Sequence, residues 1–255
     1  MRMLHDFNAS ILNEVAHRPW PMPARRWVMT QTWHDLLFAH WPIDPAVLRA
    51  IVPATFTLDL FDGQAWLGVV PFRMSNVAPR GVPALPWVSA FPELNVRTYV
   101  RVGDKPGVFF FSLDAGNPLA VQAAWILLNL PYYRASMEVR TRPPTIDYRS
   151  DRRIGRKRAT LVATYAPRGP AVAPAPGSLP YFLTERYCLY QLSHRRRPYR
   201  LDIHHPPWPL QDAAAEILEN TMAAASGVAL PDTAPVLHFA RRQDVVAWLP
   251  SAIDD

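Results

Sequence analysis

Short strand-like segments separated by turn residues run through most of this chain, and they restrict it to a fold built mainly from β-strands. The clearest of them flank Asp62-Gly63, where the apolar segments 56–61 and 64–74 meet. A two-residue turn of this kind matches the right-handed twist of a β-hairpin. Further segments with strand character lie at 27–40, 93–101, 108–113, 134–140, 157–165, 199–204, 236–241 and 244–249.

A few helices are expected as insertions between these strands, from capping residues or from a helix-favouring composition. Two proline-rich stretches, 79–92 and 166–177, predict surface loops. The predicted class is α+β and mainly β, as in a barrel or sandwich that carries helices. The helices are expected from Asp44-Pro45 to just before Pro53, and over 117–129, 181–190 and 211–225.

A chain of 255 residues that is 49% hydrophobic can bury one full core, and no change in composition divides it. We therefore expect an N-terminal extension, 1–26, followed by a single domain, 27–255. The best apolar run, 119–130, is too short to span a membrane. We therefore expect no membrane partner. The single Cys188 cannot form an internal disulfide, which predicts a cytoplasmic location. The composition does not exclude a homo-oligomer.

Three polar residues alternate along the predicted strand 93–101 and so share one of its faces: Glu93, Asn95 and Arg97. The opposite face carries apolar residues, among them Leu94. If the polar face lined the interior of a barrel, a carboxylate and a guanidinium would converge in a pocket for a polar small molecule. The alternatives are that this face is solvated, or that Glu93 and Arg97 pair with each other and stabilise the fold.

The sequence contains no pattern typical of a metal site or of a catalytic nucleophile. His204 and His205 are adjacent, so on a strand they face opposite sides and cannot chelate one ion together. With one cysteine and no metal-ligand motif we expect no metal site, and we interpret the histidines, including His34 and His40, as hydrogen-bonded structural residues. Cys188 is interpreted as a buried, inert thiol in a predicted helix. No glycine-rich phosphate loop occurs either, and we expect no cofactor.

Two arginine-rich runs, 149–158 and 194–200, are the strongest charge feature of the chain, and Tyr199 lies within the second. Such runs can bind a nucleic-acid backbone. A solvated arginine-rich surface is the commoner outcome, and no nucleic-acid-binding motif accompanies the runs. We therefore expect no nucleic-acid partner, with an interaction protein that uses this surface kept as an alternative.

A series of ordered motifs covers nearly the whole chain, from about Trp27 to Leu249. They are Trp33-x-Asp35-Leu-Leu-Phe38-x-His40-Trp41, Leu58-Asp-x-Phe-Asp62-Gly63-x-Ala-Trp66, Val70-Pro-Phe72, Phe91-x-Glu93-Leu-Asn95-Val-Arg97-Thr-Tyr99-Val, Gly107-Val-x-Phe110-Phe-Ser112-Leu-Asp114-Ala, Leu130-Pro131-Tyr132-Tyr133-x-Ala135, Leu183-Thr-Glu185-Arg186-Tyr187 and His204-His205-Pro-x-Trp208-Pro-Leu210. Together they resemble the YqjF-like family of uncharacterised proteins. The resemblance implies an acetoacetate decarboxylase-like β-barrel around a central pocket, with a few peripheral helices.

In acetoacetate decarboxylase a reactive lysine follows a Phe-Pro, and a neighbouring lysine lowers its pKa. The resemblance puts Leu130-Pro131-Tyr132-Tyr133 at that place, and a phenol cannot form an imine with a ketone. The only lysines are Lys105, in a predicted turn, and Lys157, in a charged run. Acetoacetate decarboxylase activity by a Schiff base is therefore not expected. The resemblance also places the decarboxylase's pocket glutamate at Glu93.

Three hypotheses follow. In the first, the pocket binds an organic acid or carbonyl compound without Schiff-base chemistry, with Arg97 on the anionic group and with Glu93 and Tyr132 as hydrogen-bonding partners. The second is a lysine-independent, metal-independent enzyme that uses Glu93 as general acid or base. The third is the interaction protein. The residues predicted to bind the small-molecule ligand are Glu93, Asn95, Arg97, Tyr132, Trp66, Phe72 and Phe110.

Overall fold

The computed structural model describes residues 7–85, 89–117, 130–152 and 158–253, and these are mostly in β-strands, as predicted. The described helices are short: a 3₁₀ helix at Ala9–Asn13 and α-helices at Pro45–Ile51, Leu179–Thr184 and Met222–Ala225. The strands are β1 (Met29–Ile43), β2 (Thr57–Leu58), β3 (Ala65–Pro79), β4 (Phe91–Val102), β5 (Lys105–Ala115), β6 (Tyr132–Arg134), β7 (Ser136–Arg142), β8 (Thr145–Arg152), β9 (Ala159–Val172), β10 (Cys188–Leu192), β11 (Pro198–His204), β12 (Leu210–Asn220), β13 (Val236–Ala247) and β14 (Ser251–Ala252).

Seven of the strands pair edge to edge in a closed ring, in the order β11, β10, β5, β4, β3, β1 and β13. The ring closes because β13 also pairs with β11, through Ile203 with Ala247 and His204 with Val246. The pairing of β10 with β5 is parallel, whereas the other pairings of the ring are antiparallel. Since side chains alternate along a strand, each ring strand presents one set of residues to the inside and the other set to the outside.

The sheet continues past the ring into a second layer, where β12, β9, β8 and β7 follow β13. This layer packs on the outside of the ring. Leu94 and Val96 of β4 belong to the same buried cluster as Ile146 and Tyr148 of β8. Because Leu94 and Val96 face this core, the alternate residues of β4 must face the inside of the ring.

The predicted helix over 211–225 is wrong, since most of this segment is the strand β12 and only Met222–Ala225 is helical. Along β12 every second residue, Ala213, Ala215 and Ile217, packs against the core between the two layers. The strand pairs with β9 and β13. Burial with a two-residue period and pairing on both sides outweigh the intrinsic helix propensity of Ala, Glu and Leu.

The predicted helix over 181–190 is only half right. The Ser178 side chain accepts a hydrogen bond from the Tyr181 N–H, so the predicted cap is present, but the helix ends at Thr184. Cys188 begins β10 rather than lying in a helix, and its thiol is buried and free. The chain extends here because β10 pairs with both β5 and β11 and completes the ring.

The Asp62-Gly63 turn is confirmed, with φ of 50° and 75° and an isolated bridge between Phe61 and Gln64. The hairpin between the strands on either side of this turn was predicted wrongly, because β2 pairs with β4 instead of β3. The predicted loop at 166–177 is also shorter than expected, since β9 continues to Val172. The predicted helix at 117–129 lies, apart from Asn117, outside the described residues.

The described part of the N-terminal segment lies against the ring. Ile11 shares a buried cluster with Val246 and Trp248, and the Trp248 indole N–H donates to the Arg25 carbonyl at 2.7 Å. The domain boundary at residue 26 stays a prediction. In the described ranges no helix has the length and apolar character needed to cross a membrane.

Candidate functional site

A cavity of about 100 Å³ lies inside the ring, and every one of the seven ring strands contributes side chains to its wall. Six of the seven residues predicted to bind a ligand line it: Glu93, Asn95, Arg97, Tyr132, Phe72 and Phe110. Further lining residues, which were not predicted to bind a ligand, include Gln31, Trp33, Thr184, Arg186, His205 and Trp208.

The polar face of β4 is buried. Glu93 is 4% exposed, Asn95 5% and Arg97 9%, which rules out a solvated face. The register of the sheet sets these side chains beside Phe72, Val70 and Gly68 of β3, respectively. In the described residues no ion pair joins Glu93 to Arg97, so mutual pairing does not account for their burial.

Glu93 forms a hydrogen-bonded pair with Tyr132, whose hydroxyl donates to Glu93 Oε2 at 2.8 Å. Burial raises the pKa of Glu93 from 4.5 to about 8, with a smaller contribution from the Asp114 charge and an opposing one from the Tyr132 hydrogen bond. At neutral pH the carboxyl is therefore mostly protonated. While Oε2 accepts from Tyr132, the proton on Oε1 can be donated to a ligand.

Arg97 is a buried cation whose hydrogen bonds are incomplete. Its Nη2 donates to the Leu183 carbonyl at 3.0 Å, and the guanidinium lies 5.4 Å from the Phe38 ring centre. Its Nε has no partner, and it makes no ion pair with a carboxylate in the part of the chain that is described. Arg186, the other arginine in the wall, is compensated because its Nη1 donates to Asp59 at 2.6 Å.

Two further buried polar atoms of the wall also have no partner within the described ranges: the Asn95 side-chain oxygen and the Trp208 indole nitrogen. Buried polar atoms are nearly always hydrogen-bonded, and an isolated buried charge is costly. The wall thus offers a cation and a protonated acid as donors, together with one amide oxygen as acceptor. This combination suits a small ligand with an anionic group and a second oxygen.

Trp66 lies outside the cavity, although it was predicted to form part of the wall. It belongs to a buried cluster with Tyr99 and Leu183, on the far side of Arg97 along the strands. Its indole can therefore support the layer of side chains next to the cavity but does not line the cavity itself.

Gly68, opposite Arg97, is expected not to tolerate alanine. An added Cβ would lie 2.8 Å from His40 Nε2, which donates to the Tyr99 hydroxyl at 2.7 Å, while Tyr99 in turn donates to Leu183. We expect Gly68→Ala to lower the free energy of unfolding by about 1–3 kcal/mol, as measured in urea. In a His40→Ala background the loss should shrink, and an equal loss in both backgrounds would contradict the steric explanation.

The predicted structural role of the histidines agrees with their contacts, because His34, His40, His204 and His205 each make a hydrogen bond inside the protein. The first arginine-rich run is not a continuous exposed surface. Arg152 is buried and pairs with Asp114 at 3.1 Å. In the second run, Arg200 pairs with Asp202.

Several wall residues were missed by the sequence interpretation although they lie in the motifs behind the resemblance. Arg186 follows Leu183-Thr-Glu185, and His205 and Trp208 lie in one motif near the end of β11. The motifs marked these positions, but no spacing rule shows that they meet β4 across the ring. That contact depends on the ring closure.

Comparison with known proteins supports the fold and the family. The family model DUF2071, described as "uncharacterized conserved protein", matches residues 30–244. The chain is 47% identical over 227 residues to "Uncharacterized protein YqjF" of Bacillus subtilis (strain 168), a match that covers 89% of this chain and 93% of YqjF.

Two solved structures are similar in fold at low sequence identity. Acetoacetate decarboxylase from Legionella pneumophila superposes with a TM-score of 0.62 and 15% identity, over 98% of this chain and 97% of the decarboxylase. The enduracididine biosynthesis enzyme MppR, in complex with pyruvate, superposes with a TM-score of 0.61 and 10% identity, over 94% of each chain.

Proposed function

Because the chain belongs to the DUF2071 family of uncharacterised conserved proteins and has an acetoacetate decarboxylase-like fold, we propose that its strand ring acts as a barrel around a binding pocket for a small organic acid or carbonyl compound. The family predicted from the sequence motifs is thereby confirmed. The observation that carries the proposal is Arg97, a buried guanidinium without a carboxylate partner among the described residues.

In this proposal the ligand's anionic group binds to Arg97, and a second oxygen accepts the proton of Glu93. The Asn95 side-chain oxygen accepts from a ligand hydroxyl where one is present. Apolar atoms of the ligand lie against Phe72 and Phe110. A cavity of about 100 Å³ restricts the ligand to a few heavy atoms, since a cavity of about 150 Å³ in another protein admits benzene.

The proposed chemistry excludes a Schiff base. Tyr132 occupies the position that the resemblance aligns with a lysine, and its hydroxyl is engaged with Glu93. Lys105 begins β5 and is absent from the cavity wall, and Lys157 lies outside the described residues. MppR, which binds pyruvate, supports a small oxo acid as one ligand type for this fold.

Binding can be tested with acetate, pyruvate and acetoacetate, and with acetone as an uncharged ligand of similar shape. We expect Arg97→Gln to weaken binding of the three acids by about 10–100-fold, because a charge-assisted hydrogen bond is lost. Arg140→Gln, on the exposed strand β7, is the matched control and should bind them like the wild type. Calorimetric titration measures each affinity. Unchanged acid binding in Arg97→Gln, or no binding of any of the four, would refute the proposal.

A second candidate is an enzyme that uses Glu93 as general acid or base, and it is favoured by a pKa of about 8 beside the Tyr132 hydroxyl. A group that titrates near neutrality can both give and take a proton. Proton NMR in deuterated water would report this chemistry as exchange of the methyl or methylene hydrogens of pyruvate and acetoacetate. Exchange that is catalysed by the wild type and persists in Glu93→Gln would exclude Glu93 as the acid or base.

A further inference from the structure

The ring closes through a short contact. β11 and β13 are joined by two residue pairs, Ile203 with Ala247 and His204 with Val246. Ile203 and Ala247 also line the cavity. At this seam, defined as these four residues, a single layer of side chains therefore separates the cavity from whatever covers the outside of the ring.

Residues 9–20, here named the strap, cover the seam from outside. Ile11 packs with Val246 and Trp248 of the β13 side. On the β11 side, His204 Nε2 lies 2.8 Å from the Ile11 carbonyl oxygen, and Arg18 Nη1 donates to the Ile203 carbonyl at 2.9 Å. The strap thus binds both strands of the seam and spans the line between them.

The strap is held by a cation that has no carboxylate partner in the described ranges. Arg18 is 9% exposed, and its donors reach the carbonyls of Trp20 and Ile203 and the His204 ring. Its guanidinium also lies 4.7 Å from the Tyr187 ring centre. A buried charge that is bonded only to neutral acceptors offsets much of the gain from those bonds. Arg18 therefore holds the strap with only a modest net stabilisation.

We propose that residues 9–20 form a strap that closes the β11–β13 seam, and that small molecules reach the cavity when the strap lifts. The proposal rests on the proposed function for the identity of what enters, but the opening itself can be measured without a ligand. It assigns the strap a role in the rate of access, whereas Arg97 and Glu93 set the affinity.

The strap contacts make opening depend on pH. Arg18 donates to His204 Nδ1 at 3.1 Å, so Nε2 carries the hydrogen and His204 is neutral. The charged or titratable groups that face His204 are Arg18 and His17 of the strap and the neighbouring His205. Burial lowers the pKa of His204 from 6.5 to about 4. His204 therefore binds a proton more tightly when the strap is lifted than when it is closed, and closure weakens as the pH falls from about 6.5 towards about 4.

The native Cys188 side chain packs with Phe56 and Phe109 outside the ring, whereas its neighbour Leu189 lines the cavity and packs in one cluster with Leu201. The probe is therefore a cysteine introduced at Leu189 in a Cys188→Ala background, and this protein is the parent of the variants below. Labelling of the introduced cysteine by methyl methanethiosulfonate is measured in the folded protein and divided by the rate in the unfolded protein at the same pH. We expect this protection to fall by about tenfold or more in Arg18→Gln. In the parent protein the protection should fall by about twentyfold between pH 7 and about pH 5.

Two variants serve as controls. Arg26→Gln changes an exposed arginine of the same N-terminal region outside the strap and should leave protection unchanged. Ile146→Val weakens the core of the second layer and reports labelling through global unfolding. The strap proposal would be wrong if the cysteine were equally protected from labelling in Arg18→Gln and Arg26→Gln. It would also be wrong if Arg18→Gln and Ile146→Val lost the same amount of protection. If none of the acids binds, the proposed function fails, while the labelling result still tests whether the strap controls access to the cavity.

Discussion

Glu93→Gln is expected to stabilise the protein by about 3 kcal/mol at pH 7, even though it removes a residue proposed to bind the ligand. Burial raises the pKa of Glu93 to about 8 in the folded protein, against an ordinary value of 4.5. The folded state therefore binds the proton more tightly than the unfolded state. Stability from this group is present below about pH 4.5 and is lost as the pH rises through about 8.

Urea unfolding at about pH 4, 7 and 9 would measure this effect. The gain from Glu93→Gln should be near zero at the lowest pH and largest at the highest, because glutamine does not ionise. Glu138→Gln, which changes an exposed acid on β7, is the control and should show no such trend. A gain that is the same at all three pH values would contradict the proposed burial of a titrating acid.

A stabilising Glu93→Gln that also weakens ligand binding would mean that the protein keeps a costly acid for its function. Such a trade between stability and activity is common at functional sites. The combination separates Glu93 from ordinary core residues, whose replacement lowers stability.

Arg152→Met is expected to destabilise the protein by about 3–5 kcal/mol at neutral pH, because it leaves a buried carboxylate without its partner. Arg152 is 1% exposed and Asp114 is 0% exposed, and Arg152 Nε donates to Asp114 Oδ2 at 3.1 Å. The pair joins β8 of the second layer to β5 of the ring. Burial already raises the pKa of Asp114 to about 6 despite this cation, and removal of the cation should raise it further.

The destabilisation should shrink below about pH 5, where Asp114 is protonated in the folded state. The double variant that combines Arg152→Met with Asp114→Asn should recover much of the lost stability, since neither charge of the buried pair then remains. Arg149→Met, an exposed arginine of the same strand, is the matched control. Thermal or urea unfolding measures all four proteins, and an Arg152→Met loss no larger than that of Arg149→Met would show that the ion pair is not structural.

The ring and the second layer of the sheet also contact each other directly behind the cavity. The Tyr148 hydroxyl of β8 donates to the Glu93 carbonyl at 2.7 Å, so the second layer holds the backbone of a residue whose side chain lines the cavity. Loss of the Asp114–Arg152 pair is therefore expected to affect the position of Glu93 as well as stability.

The polar face of β4 could be predicted from sequence because side-chain alternation is a local property. Glu93, Asn95 and Arg97 lie on one face in any extended strand, whatever surrounds it. The turn at Asp62-Gly63 was also predictable, because its left-handed backbone depends on residue type at those two positions. The strand that pairs with β2 could not be predicted, because β2 pairs with β4, which is distant in sequence, rather than with β3, the next strand along the chain.

The segment 211–225 shows the opposite case. Its composition favours a helix, but its place between β9 and β13 makes most of it a strand. Trp66 illustrates the same limit at the site. Its parity along β3 matches that of Phe72, yet it lies beyond Arg97 and does not reach the cavity.

The sequence by itself determined the strand-rich class, the family, the polar face of β4 and the tyrosine at the position aligned with a reactive lysine. These depend on residue type and on neighbours a few positions apart. Only the tertiary structure decided that the ring closes through β11 and β13, that Arg186 has a carboxylate partner, and that Arg97 has none among the described residues. The Leu183 carbonyl that binds Arg97 lies 86 positions along the chain, and such contacts follow from strand pairing and burial rather than from any local pattern.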